Sequence, residues 1–178
     1  MDERAYNVSK TELLEWTNQV LGLQCTRLEQ YASGAVYCQL FDAYFPGKIN
    51  MAKVNFAAVY DYEFVTNYKQ LQIGFNKAEV ERYVDVERLM KAIPSDNLEF
   101  LQWLYHHCRR SGSAGSYGAQ ERRALSKGGD IVEPPLPHSL ARGFLPTSEH
   151  NTTMKRMQDS GLLEPNSEIK DNDSRHKY

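Results

Sequence analysis

A capped apolar segment at residues 96–103 constrains the fold more than any other feature of this chain. Asp96 is followed three residues later by Glu99, and this spacing lets two side chains close the free amides at the start of a helix. Large apolar side chains then recur at helical spacing, at Leu98, Phe100, Leu101, Trp103 and Leu104. The pattern predicts a buried helix that begins at Asp96 and ends at Arg110.

Five segments before residue 96 carry similar signals, namely capping residues, apolar spacings of three and four, and terminal Pro or Gly. The predicted helices are Lys10–Leu23 with a cap at Ser9, a short helix opened by Thr26–Glu29, Ala35–Phe45 ended by Pro46, Asp61–Ala78 capped by Asp61, and a short helix at Val86–Met90 ended by Pro94. Residues 48–59 are expected to be loop with one turn. No long alternating segment predicts a strand, so the predicted fold class is all-α, a compact helical bundle.

The aromatic residues become sparse where the predicted bundle ends. Up to residue 110 the chain holds both Trp, six of its seven Phe and nine of its eleven Tyr. Beyond it, Ser111–Ser116 has the composition of a flexible linker, and Glu133–Pro137 is too rich in proline for a helix. We therefore predict one domain at residues 8–110 and a flexible, mostly disordered tail at residues 111–178. A short partner-binding segment near Phe144–Pro146 is an alternative for part of that tail.

Charge and cysteine content narrow the function. Residues 1–112 hold 12 Lys and Arg against 14 Asp and Glu, a net charge of −2, so no footprint for nucleic acid or an anionic membrane is visible. Three widely spaced cysteines without a secretory leader predict free thiols in a reducing compartment. No apolar run approaches the roughly 20 residues of a membrane span. We therefore expect a soluble cytoplasmic protein that binds neither nucleic acid nor membrane.

The sequence carries no motif of an enzyme or of a cofactor site. His106, His107 and Cys108 form its one local cluster of metal-binding residue types, and no second pair completes four ligands. Neither a glycine-rich phosphate loop nor the motifs of serine hydrolases and zinc proteases occur. We therefore expect no catalytic residue, no metal site and no cofactor, in a protein that is not an enzyme.

An ordered series of short motifs across the predicted domain resembles one protein family. The motifs are Leu14–Asn18, Glu29–Gln30, Ser33–Ala35, Tyr37–Gln39, Phe45–Gly47, Lys53–Phe56, Tyr62–Val65, Asn67–Lys69, Leu71–Gln72, Gly74–Phe75, Asp85–Leu89 and Asp96–Trp103. Each one alone is common. The ordered set, from Val8 to Arg110, resembles the N-terminal calponin-homology domain of the end-binding (EB/RP) family of microtubule plus-end tracking proteins.

The resemblance implies a protein that docks on the outside of the microtubule, in the groove between protofilaments, and favours growing ends. Tubulin's outer surface is acidic, so the family docks through a face that carries several Lys and Arg side chains. The matching basic positions in this chain are Lys10, Lys53, Lys69, Lys77, Arg82, Arg88 and Lys91. We expect these residues to bind tubulin, on cytoplasmic microtubules, with the spindle as one candidate location.

Departures from the family pattern leave a second function open. Positions where the family usually has Lys hold Ala52, Asn55, Val59, Asn76, Ile93, Tyr105 and His106, and Ser95 replaces a Gln. No heptad repeat follows Ser111, so we expect a monomer without the family's coiled coil and cargo-binding module. The alternative is a protein-interaction scaffold that keeps the fold but has lost tubulin binding. Under either function, an unidentified protein could be the partner of the tail.

Overall fold

The computed structural model describes residues 8–141 of the chain, and this part is helical. Its α-helices are α1 (Lys10–Leu21), α2 (Ala35–Tyr44), α3 (Asp61–Lys77), α4 (Val86–Met90), α5 (Pro94–Ser111), α6 (Ala119–Arg123) and α7 (His138–Ala141). Two 3₁₀ turns lie at Leu28–Tyr31 and Met51–Lys53. No strand forms within the described range, where Asn55 and Lys127 pair in an isolated bridge. The predicted all-α helical bundle is confirmed.

Helix α2 is the centre of the bundle. Every residue from Ala35 to Ala43 is buried, because α1, α3 and α5 pack around it. Its Tyr37 hydroxyl donates a 2.6 Å hydrogen bond to Asn97 Oδ1 on α5. On α3, the buried Tyr68 hydroxyl donates to the Ala32 carbonyl oxygen at 2.9 Å. The buried hydroxyls therefore have acceptors, which lets large aromatic side chains fill the core without stranded polar groups.

Local residues that the sequence identifies set both ends of the first helix. The Ser9 hydroxyl accepts a hydrogen bond from the Glu12 amide at 3.1 Å, which confirms the predicted cap. Gly22 terminates α1 in the left-handed conformation, with a φ of 63° and its amide bonded to the Asn18 carbonyl. The helix therefore stops at Leu21, two residues before the predicted end.

Three residues that the sequence predicts to cap or end a helix have other roles, and each difference has a local cause. Asp61 does not cap α3, because Tyr60 holds the cap position and the Glu63 carboxylate accepts the Tyr60 amide at 3.2 Å. Pro94 does not end α4, which stops at Met90; it is the first residue of α5, where its missing N–H needs no partner. Asp96 therefore lies inside the first turn of α5 instead of capping it.

The buried face of α5 is also rotated from the predicted one. Its buried residues are Asn97, Phe100, Leu101, Leu104 and Cys108. Trp103 and Leu98 lie at the edges of this face and are only half-buried. A polar residue, Asn97, takes a core position because it donates to the Leu89 carbonyl and accepts from Tyr37.

Residues 112–141, here named the strap, return across the bundle, which corrects the expected flexible tail for this part of the chain. The Gln24 amide donates to the Val132 carbonyl at 2.7 Å, and the Gln30 side chain donates to the Pro134 carbonyl at 2.9 Å. Farther along, the His138 amide donates to the Val59 carbonyl at 2.7 Å. The rest of the predicted tail, with the Phe144–Pro146 segment, lies outside the described residues.

Polar groups hold the strap to α2. The Asp42 carboxylate, which is 0% exposed, accepts two hydrogen bonds of 2.9 Å from Arg122 and one of 2.6 Å from the Tyr117 hydroxyl. Arg123 is 1% exposed and donates to the Leu21 carbonyl and to Gln39 Oε1. Composition alone could not predict this packing, because it depends on hydrogen bonds from Arg122 and Arg123 to distant residues.

The three cysteine thiols of the described chain lie in the core. Cys25, Cys38 and Cys108 are free and buried. Burial raises the pKa of the Cys25 thiol to about 12 and raises those of the other two further, so all three stay protonated at neutral pH. Among residues 8–141, no helix combines the length and the apolar character that a membrane crossing requires.

Candidate functional site

Helix α3 presents one continuous face to solvent. Its buried side includes Phe64, Tyr68, Leu71 and Phe75, which pack into the core. The exposed side chains on the other side are Tyr62, Thr66, Lys69, Ile73, Asn76 and Lys77. These positions recur at helical spacing, so they form a stripe along the helix, here named the α3 stripe. The stripe includes no carboxylate, and its two cations, Lys69 and Lys77, are about 12 Å apart along the helix axis.

The second 3₁₀ turn, which carries the exposed Lys53, packs against α3. The approach is close at Gly74, where a Cβ atom would lie 2.4 Å from Ile49 Cδ1. Asn67 on α3 also bonds this segment, since its side chain accepts from the Asn55 amide at 2.8 Å and donates to the Asn55 carbonyl at 3.0 Å. Glycine and asparagine on α3 therefore fix the position of the loop that carries Lys53.

Arg82 follows α3 and is held over an aromatic ring. Its guanidinium carbon lies 5.1 Å from the centroid of Trp103, close enough for a cation–π interaction. Within the described part of the chain its Nε atom is buried and has no hydrogen-bond acceptor. Arg82 and the neighbouring Tyr83 line two shallow depressions of about 250 and 310 Å³, one on each side. The half-buried Trp103 thus orients a cation at the end of α3.

Arg88 and Lys91 lie at α4, which packs against both α3 and α5, and both have acidic neighbours. Arg88 Nε is 3.5 Å from Asp85 Oδ2, and Lys91 Nζ is 3.8 Å from Glu87 Oε1. Such exposed pairs contribute only about 0–1 kcal/mol, but they partly neutralise the cations toward a partner. Lys53, Lys69, Lys77 and Arg82 take part in none of the ion pairs formed within residues 8–141.

Comparison with known proteins identifies the domain that carries this face. The family model for the calponin homology (CH) domain matches residues 7–110, which is more than half of the chain. The chain belongs to the calponin homology family. The strap that follows the matched residues packs on the same bundle.

Relatives of this calponin homology domain include EB/RP proteins. It is 45% identical over 130 residues to microtubule-associated protein RP/EB family member 1C of Arabidopsis thaliana, covering 72% of this chain and 40% of that protein. It is 48% identical over 108 residues to member 1A of the same plant, covering 61% and 39%. The chain thus spans about two fifths of the length of these curated relatives. The predicted resemblance to the EB/RP family is confirmed.

A solved structure gives the same assignment. A chain from work on the structural basis of microtubule plus-end tracking by XMAP215, CLIP-170 and EB1 is 42% identical, with a TM-score of 0.62. The match covers 66% of this chain and 99% of the solved one. The whole solved domain therefore has a counterpart here.

Lys10 of the calponin homology domain lies apart from α3, in the first turn of α1. Burial alone would raise the pKa of Glu29. Hydrogen bonds from its own backbone and from Arg27 outweigh that effect, together with the positive charges of Arg27 and Lys10, so the pKa of Glu29 lies below its usual value. Lys10 thus lies near a carboxylate of the first 3₁₀ turn. Four of the seven predicted cations lie on α3 or next to it, namely Lys53, Lys69, Lys77 and Arg82. Arg88 and Lys91 lie at the adjoining α4. Lys10 lies on neither helix.

The positions where EB/RP proteins usually have Lys fall into two groups in this domain. Exposed positions hold Ala52, Asn76 and Ile93, and half-buried positions hold Asn55, Val59, Tyr105 and His106. Asn55 has a structural role, because its side chain accepts from the Ala57 amide at 2.9 Å. The exposed group carries no positive charge.

Sequence reasoning missed the exposed apolar residues of this region. Ile73 is 41% exposed on α3, and Tyr83 is 82% exposed between the two depressions. The signal for Ile73 was present, because it lies one turn from Lys69 and one turn from Lys77 on the same helix face. Tyr83 carried no such signal, since it lies in a loop whose direction only the folded chain defines.

The cluster of His106, His107 and Cys108 does not assemble a metal site. Within residues 8–141, no three metal-binding side chains lie together. Cys108 is buried in the core, whereas His107 stacks between Phe45 and Trp103, with ring centroids 5.6 and 5.1 Å away.

We expect His107 to make the domain less stable in mild acid. Burial, and then the charges of Arg110 and His106, lower the pKa of His107 below its usual value of about 6.5. The unfolded chain therefore binds this proton more readily, so stability falls as the pH drops below about 6.5. The measurement is the melting temperature of wild type and His107→Phe from neutral pH to about pH 5. The wild type should lose more than the variant; parallel curves would contradict this.

Proposed function

We propose that this protein binds microtubules through its calponin homology domain, without enzymatic activity. The main support is that Lys53, Lys69, Lys77 and Arg82, cations outside every ion pair within residues 8–141, lie on or beside one helix. That helix belongs to a domain 45–48% identical to microtubule-associated RP/EB proteins. The proposal places the protein in the cytoplasm on microtubules, as a monomer, with a preference for growing ends.

The cations of the proposed site are expected to contribute unequally to tubulin binding. Lys53, Lys69, Lys77 and Arg82 are the principal cations, because no carboxylate of the described chain pairs with them. Arg88 and Lys91 are secondary, because each must partly leave an acidic neighbour to reach tubulin. Lys10 contributes least. Since an exposed ion pair is worth about 0–1 kcal/mol, binding depends on several such contacts acting together.

Co-sedimentation of the full chain with stabilised microtubules tests this function. The chain should pellet at low salt, and pelleting should fall steeply toward about 150 mM salt, where charges more than about 8 Å apart are screened. Bovine serum albumin, an acidic protein without this face, is the control for trapping in the pellet. Absence of pelleting at low salt would overturn the proposal.

The alternative function is a scaffold that keeps the fold but does not bind tubulin. It is favoured by the net charge of −2 over residues 1–112 and by Ala52, Asn76 and Ile93 at exposed lysine positions of the family. A scaffold would not pellet with microtubules at any salt concentration. It would instead bind a protein other than tubulin, through the domain or through the residues after 141.

A further inference from the structure

Two exposed apolar side chains lie among the cations of the proposed binding face. Ile73 is 41% exposed in the middle of the α3 stripe, with Lys69 one turn before it and Lys77 one turn after it. Tyr83, at 82%, is the most exposed large hydrophobic side chain of the described residues. Neither contributes to the core, so neither exposed position is explained by the stability of the fold.

The surface between these two residues is continuous. Asn76 follows Ile73 by three positions, so the two side chains are neighbours on the helix surface. Asn76 also lines the depression of about 310 Å³, together with Arg82 and Tyr83. Ile73, the depression and Tyr83 therefore form one patch, with cations at Lys69, Lys77 and Arg82 around it.

We propose that Ile73 and Tyr83 are the apolar anchors of the tubulin interface. This inference rests on the proposed function and adds the residues that supply affinity and specificity within it. Stable interfaces have a desolvated centre of apolar and aromatic side chains inside a charged rim, and a few central residues carry most of the binding energy. The basic rim fits an acidic partner, and tubulin is the acidic surface to which the domain is assigned.

The net charge of this domain gives such anchors a role. Residues 1–112 carry a net charge of −2, so the charge of the whole domain does not attract an acidic partner. Exposed ion pairs are also screened at physiological salt. Burial of Ile73 and Tyr83 against tubulin is not screened, and it replaces part of the missing electrostatic attraction.

The test uses the full chain with Ile73→Ser, Tyr83→Ser and the double variant. Controls are Leu125→Ser and Val132→Ser, which remove apolar side chains that are 56% and 40% exposed on the strap. Microtubule affinity is measured by co-sedimentation over a range of salt concentrations. Thermal melting of each variant checks that the fold is retained, as expected for substitutions at exposed positions.

Each anchor substitution should weaken binding about tenfold or more, while the control substitutions leave it unchanged. The dependence of affinity on salt should keep its wild-type slope, because no cation is removed. Wild-type microtubule affinity in both anchor variants would overturn the proposal that Ile73 and Tyr83 are anchors, and so would an equal loss of affinity in the controls. Either result would leave the proposed function intact. Failure of the wild type itself to pellet would overturn both.

Discussion

A chain that ends at residue 110 should be less stable than one that ends at residue 141 by about 5 kcal/mol. The shorter chain loses the pair between Asp42 and Arg122 and the buried guanidinium of Arg123. Each hydrogen bond to a charged group contributes about 1.5–3 kcal/mol, and typical domains have only about 5–15 kcal/mol in total. The measurement is urea unfolding of residues 1–110 and 1–141, followed by circular dichroism.

A point substitution tests the contacts of the strap without changing the length of the chain. Arg123→Ala should cost about 3 kcal/mol or more, because it leaves the Leu21 carbonyl and Gln39 Oε1 buried without their donor. Arg110→Ala, at an exposed arginine of α5, is the matched control and should be nearly neutral. Equal stability of the two chain lengths, or an Arg123→Ala variant as stable as the control, would contradict an integral strap.

Replacing Lys53, Lys69 and Lys77 together with Gln should weaken microtubule binding about tenfold to a hundredfold at low salt. The range follows from three exposed contacts worth somewhat under 1 kcal/mol each. The salt dependence should also become shallower, because fewer charges remain to be screened. The measurement is the dissociation constant from co-sedimentation across salt concentrations.

The matched control makes the same change in net charge elsewhere on the surface. It replaces Arg27, Arg109 and Arg110, which are exposed and lie outside α3 and α4, with Gln. The control should bind nearly as well as wild type. If both triple variants lost affinity equally, net charge alone would explain binding, and the α3 face would have no special role.

The sequence predicted the helical elements well where the signal is local. Ser9 and Gly22 mark the ends of α1 because a hydroxyl cap and a left-handed glycine act within a few residues. The errors occurred where two local signals compete. Pro94 can end one helix or begin the next, and Asp96 can cap a helix or lie in its first turn, so only packing decides between them.

The strap was missed because its stability depends on contacts between distant residues. Asp42 and Arg122 are 80 positions apart, and a buried carboxylate on α2 gives no sign in the sequence of which arginine will reach it. The low aromatic content of residues 111–141 favoured a flexible tail, since composition reflects apolar burial and not charged hydrogen bonds.

The candidate site was only partly predictable. The cationic positions were predicted from the resemblance to EB/RP proteins. The sequence gives no reason to expect that one of them contributes more to binding than another. Their differences depend on three-dimensional neighbours, such as Asp85 beside Arg88 and Trp103 beneath Arg82. The exposure of Tyr83 depends on the path of the loop between α3 and α4, which no local pattern specifies.

Electron cryo-microscopy of microtubules decorated with the full chain tests the central claim most directly. We predict density for the calponin homology domain on the outer microtubule surface, with α3 facing tubulin and with Lys69, Ile73 and Lys77 in the contact. Decoration with α3 turned toward solvent would contradict the assigned face. Bare microtubules at low salt and saturating protein would contradict microtubule binding itself.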